Sequence, residues 1–166
     1  EEGGYYDGSG SHDPNPTYKG VTQKIYDGFR GRRGLESRDV RQITEQELRE
    51  LYYSYWKASS CPLLPPKTAE LIFDHAVNAG PVAAVKALQG ALGTTIDGVY
   101  GPETSRAVGE AVRGKGDRGL ALLVVFARLR FYCDLARSNR SKAPALPGWV
   151  KRVVRYGVPL AGECPS

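Results

Sequence analysis

Residues 44–56 read TEQELRELYYSYW, and this stretch decides the fold class. Thr44 and Glu47 form a capping box, in which each side chain satisfies the other's orphan backbone N–H. Behind the box, Leu48, Leu51, Tyr52, Tyr55 and Trp56 recur at helical spacing and put one apolar face on an amphipathic helix. The aromatic part of that face has two readings. It is core packing, or it lines a sugar groove, since ligand sites are apolar and aromatic and flat rings stack on pyranoses.

The same punctuation continues downstream. CPLLPP at residues 61–66 is a stiff connector. A helix is expected over residues 67–78, with Leu71, Ile72, Phe73, Ala76 and Val77 apolar. Gly80 closes it and Pro81 opens the next at its first position. That helix carries Val82, Val85, Leu88, Gln89 and Leu92 and stops at Gly93. A turn-rich loop, TTIDGVYGPET, covers residues 94–104. Pro102 starts another helix, with Ala107, Val108, Ala111 and Val112 inward. After a flexible break at residues 114–116, Asp117 is expected to cap the longest helix, running to about Arg137, with Arg128, Arg130 and Arg137 exposed or reaching acidic neighbours. A last helix over residues 148–156 packs Trp149, Val150, Val153 and Val154. No segment has a strand period long enough to trust, so the expected fold is all-α.

Upstream, Thr22 reads as the N-cap of a short helix with Ile25, Tyr26 and Phe29 on one face. GFRGRRG at residues 28–34 breaks it, and Arg30, Arg32, Arg33 and Arg38 make the following segment basic. The Lys-Ser/Thr signature of a phosphate-binding loop is missing there. Residues 2–22, EGGYYDGSGSHDPNPTYKGVT, are too polar and too rich in Gly and Pro for a helix or a buried strand. They hold carboxylates at Glu2, Asp7 and Asp13, the imidazole of His12, and hydroxyls at Ser9, Ser11, Thr17 and Thr22. Such a loop is either plain surface or a set of reactive groups presented by a rigid scaffold.

At 166 residues, with 41% hydrophobic and 25% charged residues, the chain suits one domain, divisible into two lobes. The net charge of +5 favours polyanionic partners: nucleic acid, anionic lipid or the acidic polymers of a bacterial envelope. The longest apolar run, residues 120–127, is far too short to span a bilayer. Cys61, Cys133 and Cys164 match no metal spacing, and an odd count leaves at least one thiol free or intermolecular. The chain opens on Glu1 and contains no Met. It reads as a processed or trimmed product.

Taken together, the motifs resemble glycoside hydrolase family 108. EGGY at residues 2–5, DP at 13–14 and TYKGVT at 17–22 match the family's opening. Its Y-x-x-Y-W is met by Tyr52, Tyr55 and Trp56, and its F-D-x-A-V-N-x-G by Phe73, Asp74, Ala76, Val77, Asn78 and Gly80. Its L-Q-x-A-L-G and D-G-x-x-G-P-x-T fall on residues 88–93 and 97–104, and its closing G-W-x-x-R on Gly148, Trp149 and Arg152. The resemblance covers nearly the whole chain. It departs from the family where D-P-G-G-x-T is shortened to DPNPT, and where the family has a helix ahead of EGGY. It implies a lysozyme-like N-acetylmuramidase lobe over residues 1–72 and a helical peptidoglycan-binding lobe over 73–166, of phage endolysin type and without a cofactor or metal. A monomer acting on the cell wall is expected, with no specific nucleic-acid partner.

Glycoside cleavage needs an acid to protonate the leaving oxygen and a carboxylate or base to meet the oxocarbenium-like centre. By the resemblance, Glu2 is the catalytic acid. A raised pKa from apolar neighbours would suit it to that role. Asp13, on a polar loop, would stay ionised, and Thr17 would hold the attacking water. The interval from Glu2 to Thr17 equals that of the Glu, Asp or Cys, Thr series of phage-type lysozymes, whereas Asp13 lies two positions late. Substrate contacts are expected from Tyr5, Tyr52, Tyr55, Trp56, Asp74 and Asn78, with the Asp74/Asn78 face meeting the aromatic face across a groove. In the wall-binding lobe Asp97 is expected mainly to hold its loop, and Tyr100 to project outward. Two rivals remain: a wall-binding module with a decayed active site, and a nucleic-acid-binding domain built on the arginines of residues 30–38.

Overall fold

The computed structural model describes residues 4–6 and 16–161. Six α-helices dominate them: α1 (Gln23–Gly31), α2 (Glu45–Ala58), α3 (Pro66–Ala79), α4 (Pro81–Leu92), α5 (Pro102–Ser138) and α6 (Leu146–Ala161). The all-α expectation holds, with one addition. Three two-residue strands, β1 (Tyr5–Tyr6), β2 (Thr17–Tyr18) and β3 (Val21–Thr22), form an antiparallel sheet in that order. Strands this short leave no period to read in the sequence. Among the described residues no helix is long and apolar enough to cross a membrane. The chain forms two compact units, Glu1–Tyr52 and Tyr53–Ser166, and the division falls inside α2.

In the first unit, Lys19 and Gly20 take φ values of 50° and 77° between β2 and β3. Positive φ at both central residues is the mirror-image turn that suits the twist of a tight hairpin. The Thr22 hydroxyl then accepts the Ile25 N–H, so the hairpin runs directly into α1 as the sequence predicts. Among the described residues of this unit, Val21, Tyr26, Phe29, Val40, Ile43 and Leu51 are the buried apolar ones.

Glu47 does more than its capping box requires. Its carboxylate accepts the Thr44 N–H at 3.0 Å, and its own backbone N–H donates to the Thr44 hydroxyl at 3.1 Å. It also accepts the Tyr26 hydroxyl at 2.9 Å and pairs with Arg30 at 2.6 Å and with Arg38. Burial opposes its charge, but the Thr44, Tyr26 and arginine contacts win and lower its pKa from 4.5 to about 2. Arg33 pairs with Glu50 at 2.7 Å and lies 3.7 Å over the Phe29 ring. Three of the four arginines that made residues 30–38 look basic are therefore committed within the unit. That weakens the nucleic-acid reading, which needs cations held out for phosphates.

The second unit has an apolar core. Leu71, Ile72, Ala76, Leu88, Leu120, Val124 and Val153 are buried in one cluster. Gly157 is buried on α6, and a Cβ there would stand 2.7 Å from Val125 Cγ2, so only glycine permits this approach to α5. The expected break before the longest helix is a kink: α5 bends at Gly116, with φ 68° and ψ 175°.

Asp117 corrects the sequence reading. It caps α3, accepting the N–H groups of Lys67 at 2.8 Å and Thr68 at 3.0 Å. The physical reason is local. Pro65 occupies the N-cap position of α3 and has no side chain that accepts, so the orphan N–H groups take a carboxylate from elsewhere.

Arg128 takes the second of the two expected courses and reaches an acidic neighbour. It is fully buried on α5, donating to the Leu71 carbonyl at 3.3 Å and to Asp74 at 2.5 Å. Arg152 on α6 holds the other Asp74 oxygen at 2.9–3.0 Å. One carboxylate thus ties three helices together. Burial opposes its ionisation, but the two guanidinium groups hold its pKa below the usual range. Beside it, His75 is buried, with Nδ1 3.3 Å from the Tyr132 hydroxyl and its ring edge-on to Phe131. Burial and the nearby Arg128 charge push its pKa from 6.5 down to about 3, so this imidazole is neutral at pH 7.

Candidate active site

The sheet brings two sequence motifs together. Tyr5 pairs with Tyr18 and Tyr6 with Thr17, while Thr17 pairs on its other side with Thr22. The strand that ends the EGGY motif therefore lies directly against the strand that carries Thr17. Thr17 is half-buried in the central strand, and the Gln23 N–H to Pro16 carbonyl bond of 2.9 Å closes the hairpin base. Glu2 and Asp13 lie outside the described residues, and of Tyr5 only its place in β1 is described.

The aromatic face of α2 divides between uses. Tyr52 is half-buried, and its hydroxyl donates to the Lys19 carbonyl at the hairpin turn, at 3.0 Å. Tyr55 is half-buried, and its carbonyl accepts the Ser59 N–H at 3.0 Å. Trp56 packs on the core cluster, edge-on to Phe73 at 5.4 Å between centroids. The core-packing reading accounts for the geometry of Trp56.

Asp74 and Asn78 share a face of α3 as their spacing requires, but they are used differently. Asp74 is committed to Arg128 and Arg152, as described above. Asn78 is exposed, and its amide donates to the Asp74 carbonyl at 2.6 Å. Polar groups four apart on a helix do not have to meet a ligand together, and here the partners of Asp74 come from sequence positions 54 and 78 residues away.

Around residues 97–104 the organiser is Gln89, which the sequence placed on α4 without a role. It is buried, and its amide donates to Asp97 at 2.7 Å and to the Val99 carbonyl at 3.0 Å, while its oxygen accepts the Gly98 N–H at 2.8 Å. Asp97 also accepts the Val99 N–H at 2.8 Å and so holds its loop as expected. Tyr100 does not stand clear of the protein: it is half-buried and packs against the core cluster. A carboxamide on an otherwise apolar helix face, ahead of a Gly-rich turn, is the signal that would have pointed to Gln89.

Val82, expected with the apolar face of α4, is exposed instead. It lines an open groove of about 920 Å³ between α4 and α5, together with Lys86, Ile96, Phe126, Arg130 and Asp134. Among the described residues no group of three His, Cys, Asp or Glu side chains could hold a metal ion. Cys61 is buried and Cys133 exposed, both as free thiols.

The predominantly helical scaffold, with a short sheet that pairs Tyr5 and Tyr6 with the strand of Thr17, is consistent with a lysozyme-like fold. Residues 1–80 match the model of Glycosyl hydrolase 108, and residues 83–154 match that of a Predicted Peptidoglycan domain. The chain carries both domains in that order and is a glycoside hydrolase acting on peptidoglycan. The structure of Brucella abortus SagA is similar over 98% of this chain and 90% of that one, with 26% identity and a TM-score of 0.77. No curated protein matches the chain.

Proposed function

We propose that the chain is an N-acetylmuramidase of the phage endolysin type, cutting the glycan strand after N-acetylmuramic acid. Glu2 is the general acid, protonating the leaving glycosidic oxygen. Asp13 stays ionised to meet the positive charge that develops at the anomeric carbon, and Thr17 holds the water that attacks it. Tyr5, Tyr55 and Trp56 are the proposed sugar contacts of the catalytic lobe, and Asn78 is one beyond it. The catalytic lobe is taken as residues 1–72 and the wall-binding lobe as residues 73–166, with the loop of Asp97 and Tyr100 touching the wall. The protein works as a monomer on the cell wall, whether released from a host cytoplasm or carried on a phage particle.

The observation that carries this reading is the β1–β2 pairing. It places the strand leading out of EGGY, three residues after Glu2, against the strand of Thr17. A reaction that needs an acid and a positioned water at one bond needs these two motifs together.

The test is loss of turbidity of a peptidoglycan suspension, with release of new reducing ends. The parent should clear it and Glu2→Gln should not, with a loss of about a hundredfold or more. Equal clearing by both would remove Glu2 as the acid. Wall binding without clearing by the parent would mark a binding module instead.

A further inference from the structure

The hairpin turn is gripped twice by one face of α2. The Lys19 side chain pairs with Glu45 at the start of the helix. The Lys19 carbonyl accepts the Tyr52 hydroxyl at 3.0 Å. Glu45 and Tyr52 are seven residues apart, two helical turns, and so lie on one side of the helix. The turn is shaped for this contact. Gly20 has φ 77°, and a Cβ on it would stand 3.0 Å from the Tyr52 oxygen. A side chain there would be strained by its backbone and would press on the hydroxyl that holds the turn. Thr17 lies two residues before Lys19, in the strand that the turn terminates.

We propose that Tyr52 is a positioning residue: its hydroxyl, by holding the Lys19 carbonyl, fixes the hairpin on which Thr17 stands. This rests on the role given to Thr17 above. A strand of two residues has few ladder bonds to resist displacement, so its placement depends on the contacts at its turn. Loss of one such contact shifts a reacting group without touching substrate, and small misplacements are costly to a bimolecular attack. The first tyrosine of Y-x-x-Y-W thereby acts through its hydroxyl rather than as a platform for a sugar ring.

The test separates hydroxyl from ring. Steady-state kinetics on a soluble glycan should show Tyr52→Phe lowering kcat about tenfold with KM unchanged. In a double-mutant cycle, Tyr52→Phe should cost nothing further in a Thr17→Val background, because both act through the same hydroxyl. Amide hydrogen exchange, which needs no activity, should speed up severalfold at Tyr18 and Val21 and stay unchanged across α3 to α6. The proposal is overturned by a Tyr52→Phe variant with the parent's kcat, by losses that multiply across the cycle, or by unaltered exchange in the hairpin. A Tyr52→Phe variant that keeps full activity while Tyr52→Leu raises KM would return the residue to sugar stacking. Failure of the muramidase reading shows separately, as full activity in Glu2→Gln or none in the parent.

Discussion

The two units of this chain hold their charged groups in opposite ways. In Glu1–Tyr52 the carboxylate of Glu47 collects two partly exposed arginines, a tyrosine and a helix cap. In Tyr53–Ser166 the carboxylate of Asp74 joins a fully buried arginine and a second one on α6, beside a neutral imidazole and an apolar cluster. The first arrangement fastens short segments that could not hold themselves. The second cross-ties helices that already share a core. A network whose arginines all reach solvent tolerates the loss of a member, because water replaces it. A buried one does not, because a charge is left unsolvated.

The sharpest way to break the comparison is Asp74→Ala. It takes the carboxylate from the fully buried Arg128 and from Arg152 and should lower stability by about 3–5 kcal/mol. Urea unfolding followed by tryptophan fluorescence suits it, since both tryptophans, Trp56 and Trp149, lie in the second unit. A shift of less than about 1 kcal/mol would show that the three helices do not depend on this tie.

Acid separates the two units by pH window. His75 has a folded pKa of about 3 against 6.5 unfolded. The unfolded chain therefore binds the extra proton, and the stability this neutral imidazole allows is complete above pH 6.5 and falls as pH drops toward 3. The slope is at most about 1.4 kcal/mol per pH unit. Glu47 is depressed from 4.5 to about 2, so its contribution is present above pH 4.5 and is lost as pH falls through 2. Tryptophan fluorescence should show the second unit weakening first, and His75→Phe should flatten that dependence. Hydrogen exchange at the α1 and α2 amides should respond only at lower pH. Loss of both units in one window would contradict the assignment.

The smallest expected effect is Tyr100→Phe. Removing one hydroxyl from a half-buried ring should change stability by no more than about 0.5 kcal/mol. In a Glu2→Gln background, which prevents release by digestion, it should pellet about threefold less with insoluble cell wall. Unchanged pelleting would leave the loop as a connector held by Gln89.

Local chemistry made much of this protein legible in its sequence. The Thr22 cap, the Thr44–Glu47 box, Pro81 and Pro102 at helix starts and Gly93 at a helix end all act within a few residues, and each stands where expected. The order of the family motifs likewise carried the class of reaction, since motifs are strings of neighbours. The roles of Asp117, Asp74, Arg128, Gln89 and Tyr52 did not follow from sequence. Spacing on one helix says which side chains share a face, but not what that face meets. Asp117 caps a helix 49 and 50 residues away, and Tyr52 holds a carbonyl 33 residues away. A carboxylate or hydroxyl takes whichever unsatisfied donor or acceptor the packing brings near, because leaving that group unpaired in the interior costs more than the local bond it gives up. Neighbouring residues determined the helices and their ends, and only the tertiary structure decided which distant groups those helices bring within hydrogen-bonding reach.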